Sequence, residues 1–315
     1  MKTASGSPLE SLSRPAATNP VRIYWPYASN VILLHGLALL ACVPWFFSWT
    51  GVVMCALGLY VYGTLGINLC FHRLLTHQSL AMPKWLERSL ATIAICCLQD
   101  SPARWVAIHR QHHQHSDTED DPHSPLVSFF WGHFGWVLVK SSQHDITLHY
   151  ERYCRDILRD PYYFWCERKL RWFWIYLGHA LLYFVVGATV AWCWHGDAFR
   201  GVQFGASWLV WGVFLRTVLV WHITWSVNSF SHVFGYQNYD THDSSRNNVF
   251  VAWLSNGDGW HNNHHAHQRC AAHGHKWWEF DVTFLTIRVL EWMGLANSVV
   301  RHPLPQPTAA SSARP

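Results

Sequence analysis

Long apolar stretches alternate with polar segments along this chain of 315 residues. Four stretches, at about residues 30–49, 51–71, 172–194 and 202–230, are long enough to cross a membrane. At 1.5 Å per residue, a helix of about 20 residues spans the ~30 Å hydrocarbon layer of a bilayer. Because only Thr50 separates the first two stretches and a short loop separates the last two, the pattern predicts two helical hairpins.

The polar ends of the chain predict its domain boundaries. Residues 1–21 and 301–315 are rich in Ser, Pro and Ala, a composition that favours disorder. The start of the chain lacks the short charged segment and immediate apolar core of a signal peptide. Residues 22–300 are therefore predicted to form one membrane domain between two disordered tails.

The distribution of charge gives this topology an orientation. With four crossings, the N-terminus, residues 72–171 and residues 231–300 lie on one side of the membrane. All but two of the 23 Lys and Arg residues fall on that side, which the positive-inside rule assigns to the cytosol. The stretch 89–99 is too short to cross, so it is predicted to be a buried or interfacial helix. The predicted fold class is an all-α integral membrane protein with four transmembrane helices and a cytosolic helical cap.

Composition narrows the possible functions. Charged residues make up only 13% of the chain and there are 21 Trp, which is typical of a membrane protein. The net charge of +4, without basic runs interleaved with aromatics, argues against nucleic-acid binding. The nine Cys contain no CxxC pair and are interpreted as small hydrophobic residues. The excess that needs an explanation is the 23 His.

The histidines cluster beside the predicted spans in three motifs: one HxxxxH after the second span and two HxxHH in the cap. In a helix, residues at i, i+3 and i+4 share a face, so each HxxHH presents three imidazoles in one direction. Asn228 and His232 stand at i and i+4 at the end of the fourth span. The nine clustered histidines are His72, His77, His109, His112, His113, His232, His261, His264 and His265. Neutral imidazole binds iron, copper, nickel and zinc, so the pattern predicts a metal site on the cytosolic face.

These motifs resemble a known family. The segments GINLCFHRLLTHQS, HRQHHQHSDTEDDPHSP, VNSFSHVFG and DGWHNNHHAHQ are similar, in this order, to the histidine boxes of the membrane fatty acyl desaturases. The likeness is closest to the Δ9 acyl-CoA (stearoyl-CoA-type) branch. It implies two iron ions held by the nine histidines, with Asn228 reaching a metal through water. It further implies O2 as co-substrate and a cis double bond, expected at Δ9, in a saturated acyl chain carried as a thioester such as acyl-CoA.

Further residues are expected to support this chemistry. Metal-bound imidazoles usually donate their second N–H to a carboxylate or carbonyl. The carboxylates expected in that role are Asp117, Asp120, Asp121 and Asp258. The residues expected to contact substrate are Trp105, Arg104 and Arg73, together with Tyr60 or Tyr62 as a limit on chain length. Arginines that could meet a phosphate are Arg110, Arg152, Arg155 and Arg159.

One departure from the family bears on the head group. Animal members of the branch carry Arg-Asp immediately before the second box, where it contacts CoA. This chain has Ala107-Ile108 instead. The departure leaves a carrier protein or a glycerolipid open as the acyl carrier beside CoA.

The expected partners are a fatty acyl substrate, membrane lipid and a separate electron donor. The sequence shows neither the CxxC set of a rubredoxin or ferredoxin nor a glycine-rich nucleotide fingerprint. Electrons are therefore expected from a separate ferredoxin or cytochrome b5-type protein that docks on the basic cytosolic surface.

Three other functions stay open. A hydroxylase or a terminal-olefin-forming decarboxylase of the same superfamily would use nearly the same ligands on a differently placed substrate. A non-catalytic metal transporter or sensor would be expected to have histidines inside the spans, whereas the histidines of this chain cluster at the ends of the spans. A structural zinc protein would need only four ligands, fewer than the nine histidines present.

Overall fold

A computed structural model describes residues 12–141 and 146–302, and the regular secondary structure in these ranges is helical, with isolated bridges in place of strands. The α-helices are α1 Trp25–Ala38, α2 Trp49–Gly58, α3 Lys84–Ile95, α4 Pro102–His115, α5 Trp136–Leu138, α6 Ile146–Tyr153, α7 Arg155–Leu158, α8 Pro161–Glu167, α9 Arg171–His195, α10 Ala198–Leu209, α11 Arg216–Phe230, α12 Val249–Leu254, α13 His261–Ala266 and α14 Val282–Trp292. Wider π-helical turns continue α2 over Leu59–Thr76 and join α10 to α11 over Val210–Leu215. The predicted all-α fold is confirmed.

Four helical stretches are long and apolar enough to cross a membrane: Trp25–Cys42, Trp49–Thr76, Pro161–His195 and Ala198–Phe230. The number of spans agrees with the hydrophobic pattern. Together with the family assignment given below, they make this an integral membrane protein.

The first hairpin turns earlier than the pattern indicated. The chain leaves the first helical stretch at Cys42 and forms a short 3₁₀ turn at Pro44–Phe46, where residues 30–49 were expected to form one span with a kink at Pro44. The residue expected to separate the spans, Thr50, lies inside α2, which Ser48 caps by accepting a hydrogen bond from the Gly51 N–H at 2.9 Å. An aromatic turn is as apolar as a helix, so hydrophobicity alone did not reveal this boundary.

Small residues let the membrane helices approach closely, as is usual where helices pack without a hydrophobic driving force. A Cβ atom on Gly205 of α10 would lie 2.6 Å from the backbone oxygen of Phe184 on α9. Between α2 and α10, the hydroxyls of Ser48 and Ser207 are hydrogen-bonded at 2.7 Å. The first contact packs α10 against α9 within the second hairpin, and the second joins the start of α2 to α10.

A buried cation stabilises the fourth span. Arg216 is fully buried and donates to the carbonyls of Cys96 at 2.7 Å and Gly212 at 3.1 Å. Its guanidinium also lies 4.0 Å from the centre of the Tyr62 ring. An ionisable group within a span is costly unless it is paired in this way. The charge therefore ties the span to the loop after α3 and does not argue against a crossing.

The polar segments are more ordered than expected. Residues 12–21 were predicted to belong to a disordered tail, yet they form a turn at Ala16–Thr18 and bury Pro15 and Thr18. The remaining tail residues, 1–11 and 303–315, lie outside the described ranges. The helix expected over 89–99 is α3, which begins at Lys84 and buries Leu90, Ala91 and Ala94. Its polar first turn concealed the true start from a count of apolar residues.

Candidate metal centre

The first histidine pair lies where the hydrogen bonding of the second span has widened to the π type. A π turn joins residues i and i+5, and the His77 N–H donates to the His72 carbonyl at 3.1 Å. The two imidazole rings consequently share a face, with centroids 4.9 Å apart. The HxxxxH spacing thus suits a π turn in the same way that HxxHH suits an α-helix.

The two HxxHH motifs lie on short helices, as predicted. Helix α4 begins after Ser101, whose hydroxyl accepts a hydrogen bond from the Arg104 N–H at 3.2 Å, and its last turns carry the second motif. Helix α13 consists of the third motif, and all three of its histidines are buried. Asn228 lies in the last turn of α11, and His232 follows directly after that helix.

The nine histidines come together as two adjoining groups at one end of the spans. The first group is His72, His77, His109, His113 and His264, and the second is His112, His232, His261 and His265. Within each group, one ring nitrogen of every histidine lies within 4.8 Å of one from every other member. The groups meet where the ring centroids of His113 and His265 are 4.5 Å apart. Such an arrangement could hold two metal ions side by side.

Carboxylates orient four of these imidazoles through Nδ1. The Nδ1-to-oxygen distances are 3.0 Å for His72 with Asp258, 3.0 Å for His112 with Asp121, 2.9 Å for His232 with Asp117 and 2.5 Å for His265 with Asp243. An Nδ1–H donated to a carboxylate fixes the tautomer that leaves Nε2 as a ligand. Asp117, Asp121 and Asp258 lie where the sequence analysis expected them.

Two of the carboxylate assignments change. Asp120 was expected beside the histidines, but its side chain is exposed and only its backbone carbonyl is engaged, by Gln111 Nε2 at 3.0 Å. Asp243 was missed and takes the fourth position. It stands far from every histidine box along the chain, so no local spacing marked it, and only the folding of the 236–248 segment against α13 brings it to His265.

The contribution of Asp243 can be measured directly. Replacing it with asparagine should lower metal affinity and activity by about 10- to 100-fold, the usual cost of losing a partner of a metal-bound histidine. Asp240→Asn is the matched control, since that side chain is exposed in the same segment. Metal content by mass spectrometry together with turnover measures the effect. Equal metal content in both variants would show that Asp243 does not orient a ligand.

Burial keeps the imidazoles in the form that binds metal. It lowers the pKa of His109, His261 and His264 well below the usual value, and the neighbouring histidines lower it further. Burial alone would raise the pKa of Asp117, but contact with His232 brings it below its ordinary range, so this group is a carboxylate. Neutral imidazole is the form in which histidine binds a transition metal. His232 departs from this pattern, because contact with Asp117 raises its pKa.

The unpaired atoms of the site fit iron, the metal that the family resemblance implies. Nε2 of His77, His112 and His265 is buried without a hydrogen-bond partner among the described residues. A buried polar atom is rarely left unpaired unless an ion or water satisfies it. The residues therefore fit two nitrogen-ligated iron ions.

A mostly apolar cavity runs beside the two groups. Its apolar wall includes Val31, Ile67, Leu98, Trp136, Val137, Trp221, Ile223, Trp225 and Val227. His72, His109 and His261 also lie in the wall, as does Asn228, the residue expected to reach a metal through water. An acyl chain in this cavity would pass directly against the histidines.

The residues expected to contact substrate divide into two sets. Trp105 and Arg104 line the cavity, where Arg104 forms an ion pair with Asp100, with Nε 2.8 Å from Oδ2. Tyr60 and Tyr62 do not line it. The Tyr60 hydroxyl bonds to Thr286 at 2.8 Å on the outside of α14, and the ring of Tyr62 lies beneath Arg216. Because neither tyrosine lines the cavity, the structure does not support the prediction that Tyr60 or Tyr62 limits the length of the acyl chain.

Arg73 is not available to a substrate head group, contrary to expectation. It is fully buried and donates to Asp258 at 2.9 Å, to Asp281 at 2.8 Å and to the Ala271 carbonyl at 2.6 Å. The π turn that brings His72 to the metal groups points its neighbour toward the chain around α14. Arg73 thus fixes Asp258, which in turn orients His72.

Removing this cation should destabilise the fold. Arg73→Met leaves two buried carboxylates uncompensated, and breaking a buried pair in this way costs about 3–5 kcal/mol. We expect a sharp fall in folded yield and melting temperature in detergent. Arg155→Met, at an exposed position, is the control. A stable Arg73→Met protein with altered head-group preference would contradict the structural role.

The other arginines expected to meet a phosphate differ in whether they already have partners. Arg110 is engaged by Asp156, with Nη1 to Oδ1 at 2.7 Å, and by the Leu75 and Thr76 carbonyls. Arg152, Arg155 and Arg159 are exposed on and beside α6 and α7. A phosphate role for Arg110 would require it to leave these partners.

Four membrane-crossing helices that gather two polyhistidine groups at one end define an integral membrane protein built to hold metal ions beside an apolar cavity. Comparison with known proteins gives its family. Residues 44–281 match the family described as fatty acid desaturase. The chain is 42% identical over 285 residues to the sn-1 stearoyl-lipid 9-desaturase of Anabaena variabilis, covering 90% of this chain and 96% of that one.

Two further relatives are named for a lipid and for CoA, respectively, as the acyl carrier. The chain is 40% identical over 271 residues to the sn-1 stearoyl-lipid 9-desaturase of a Synechocystis species, covering 86% of this chain and 78% of the relative. It is also 40% identical over 272 residues to the acyl-CoA 5-desaturase of Anemone leveillei, with the same coverage. The chain belongs to the fatty acid desaturase family and is an oxidoreductase, so the resemblance carried by the histidine motifs is confirmed.

Proposed function

We propose that this protein is an O2-dependent di-iron desaturase that introduces a cis double bond at C9 of a saturated acyl chain. The observation that carries the proposal is the apolar cavity whose wall contains histidines of both groups. Two of the relatives are named 9-desaturases, which supports the position of the double bond.

We propose a glycerolipid as the acyl carrier, in place of the thioester expected from the sequence. The charge of Arg104 at the cavity is compensated by Asp100, and the Tyr27 hydroxyl also donates to that carboxylate. Ala107 is buried and Ile108 lines the cavity, where the animal enzymes carry a charged pair. A wall of this kind suits an uncharged ester and hydroxyl groups better than the phosphates of CoA.

The nine histidines would hold the two irons through nitrogen, and iron would supply the redox chemistry that lets O2 remove hydrogen from an unactivated methylene. Overall, two adjacent CH2 groups, O2, two electrons and two protons give a cis CH=CH and two water molecules. The chain's own part is to align the acyl carbons along the histidine wall. The tryptophans of its mostly apolar wall would also keep bulk water from the acyl carbons.

The electrons would come from a separate ferredoxin or cytochrome b5-type protein at the cytosolic face. The charge distribution supports this orientation, since nearly all Lys and Arg residues lie on the side of the histidine groups. A basic surface there would favour an acidic donor.

A hydroxylase or decarboxylase of the same superfamily would differ in product. Expression in a host of defined lipid composition, with mass spectrometry of intact lipids and of the acyl-CoA pool, separates the possibilities. We expect new Δ9 double bonds in glycerolipid first. Double bonds that appear first in acyl-CoA would overturn the head-group assignment, and hydroxy acids or 1-alkenes would overturn the reaction.

A further inference from the structure

A third histidine cluster lies on the cap, outside the two groups described above. It contains His267, His275, His302 and Tyr239, all half-buried. The ring centroids of His267 and His302 are 4.4 Å apart, as are those of His275 and His302. We propose that this cluster is a separate binding site for a divalent zinc-class cation.

The spacing of the donor atoms carries the argument. His267 Nε2 is 3.1 Å from His302 Nε2, and Tyr239 Oη is 3.3 Å from His302 Nε2 and 2.9 Å from His275 Nδ1. Ligand atoms around a tetrahedral zinc, at 2.0–2.1 Å from the metal, lie about 3.3 Å from one another. These three separations are close to that spacing, and a similar 3.1 Å separates His261 Nε2 from His232 Nε2 in the nine-histidine groups.

One ligand is already oriented as in known metal sites. His275 Nε2 lies 3.2 Å from the Ala272 carbonyl, which accepts its N–H and leaves Nδ1 as the ligand atom. Metal-bound histidines usually donate their second N–H to such a carbonyl. The His275 and His267 ring centroids are 5.6 Å apart, so a cation bound by all three histidines draws the His275 ring inward.

The donor set selects the class of ion. Three imidazoles and one phenol oxygen suit zinc, copper or nickel better than calcium or magnesium, which prefer oxygen ligands. A set of four nitrogen and oxygen donors favours zinc within that class, because zinc in structural sites is usually four-coordinate. Partial exposure of all four residues lets the ion enter from solvent without passing the nine-histidine groups.

The position of the cluster gives the ion a structural effect. His267 immediately follows α13, which carries the third histidine motif. The Tyr239 N–H donates to Asn262 of that helix at 2.9 Å, and the chain beside His302 is held by the Ala271 N–H bond to Val300 at 2.8 Å. A bound cation would join these separate segments and hold the end of α13 in place.

The test uses iron-loaded holoenzyme titrated with zinc, with zinc and iron both counted by mass spectrometry. We expect one zinc per chain beyond the iron, with a rise in melting temperature. His302→Gln and His267→Gln, tested separately, should each raise the zinc dissociation constant by more than ~10-fold. Losing only the hydrogen-bond partner of a ligand already costs about that much, so losing a ligand should cost more. His242→Gln, an exposed histidine outside the cluster, is the matched control.

The two kinds of site are distinguished by the iron count. If the His302 and His267 variants retain iron and turn over normally when no zinc is added, they are folded. Their loss of zinc binding would then support the site. Zinc binding equal to wild type in both variants would overturn the proposal, leaving a hydrogen-bonded patch. Zinc that enters only as iron leaves would also overturn it.

Discussion

Replacing His109 or His261 with alanine is expected to reduce desaturation to below about 1% of wild type, since losing a ligand should exceed the 10- to 100-fold effect of losing a partner outside it. The two residues represent the two groups, and each faces the cavity. The loss follows because each substitution removes one imidazole from its group. Product formation and iron content should fall together.

The control for these variants is His195→Ala. His195 is exposed at the far end of α9, on the loop between the last two spans. It should retain both iron and activity. Full activity in the His109 and His261 variants, with normal expression, would mean that the metal site has been assigned to the wrong residues.

Filling the cavity should lower turnover strongly while iron is retained. Ile223 on α11 lines the apolar wall, and a tryptophan there would occupy the space that an acyl chain needs. Because Ile223 is not one of the nine histidines and contacts the site only through the cavity, iron content should stay at the wild-type level. The expected loss of turnover is at least ~10-fold, with shorter chains less affected than longer ones.

Leu219→Trp separates obstruction from general damage. Leu219 lies one turn earlier on the same helix, is 37% exposed and is not among the residues that line the cavity. It should keep both iron and turnover. If Ile223→Trp desaturated long and short chains as well as wild type does, the acyl chain would have to bind elsewhere.

The spacing of the histidines allowed the candidate site to be predicted because helical periodicity is local. HxxHH places three rings on one face whatever the rest of the fold does, and His72 with His77 needs only one π turn. Apolar length likewise predicted the four spans. Four crossings put every motif on one side of the membrane, so the motifs could be predicted to lie together.

Residues whose role depends on distant chain contacts were harder to predict. Asp243 reaches His265 only after the loop before α12 has packed on α13, and no sequence spacing encodes that contact. Arg73 looked like a cation for substrate because it stands beside His72, but its partner Asp281 is supplied from far along the chain. The hairpin boundary at Pro44 was hidden because the turn is itself apolar.

The order found in residues 12–21 has the same explanation. Their Ser- and Pro-rich composition favours disorder when the segment is considered alone, yet Pro15 and Thr18 lie in the cavity wall. Burial against another part of the molecule overrides composition, and composition was the only available signal there.

The most direct test of the account combines iron analysis with product analysis on the purified protein. The enzyme is reconstituted with a reduced donor, O2 and a lipid carrying a stearoyl chain. The account predicts two irons per chain and an O2-dependent cis double bond at C9, with both lost in His109→Ala and His261→Ala. A wild-type protein that desaturates without iron, or that holds two irons and leaves every acyl chain saturated, would contradict it.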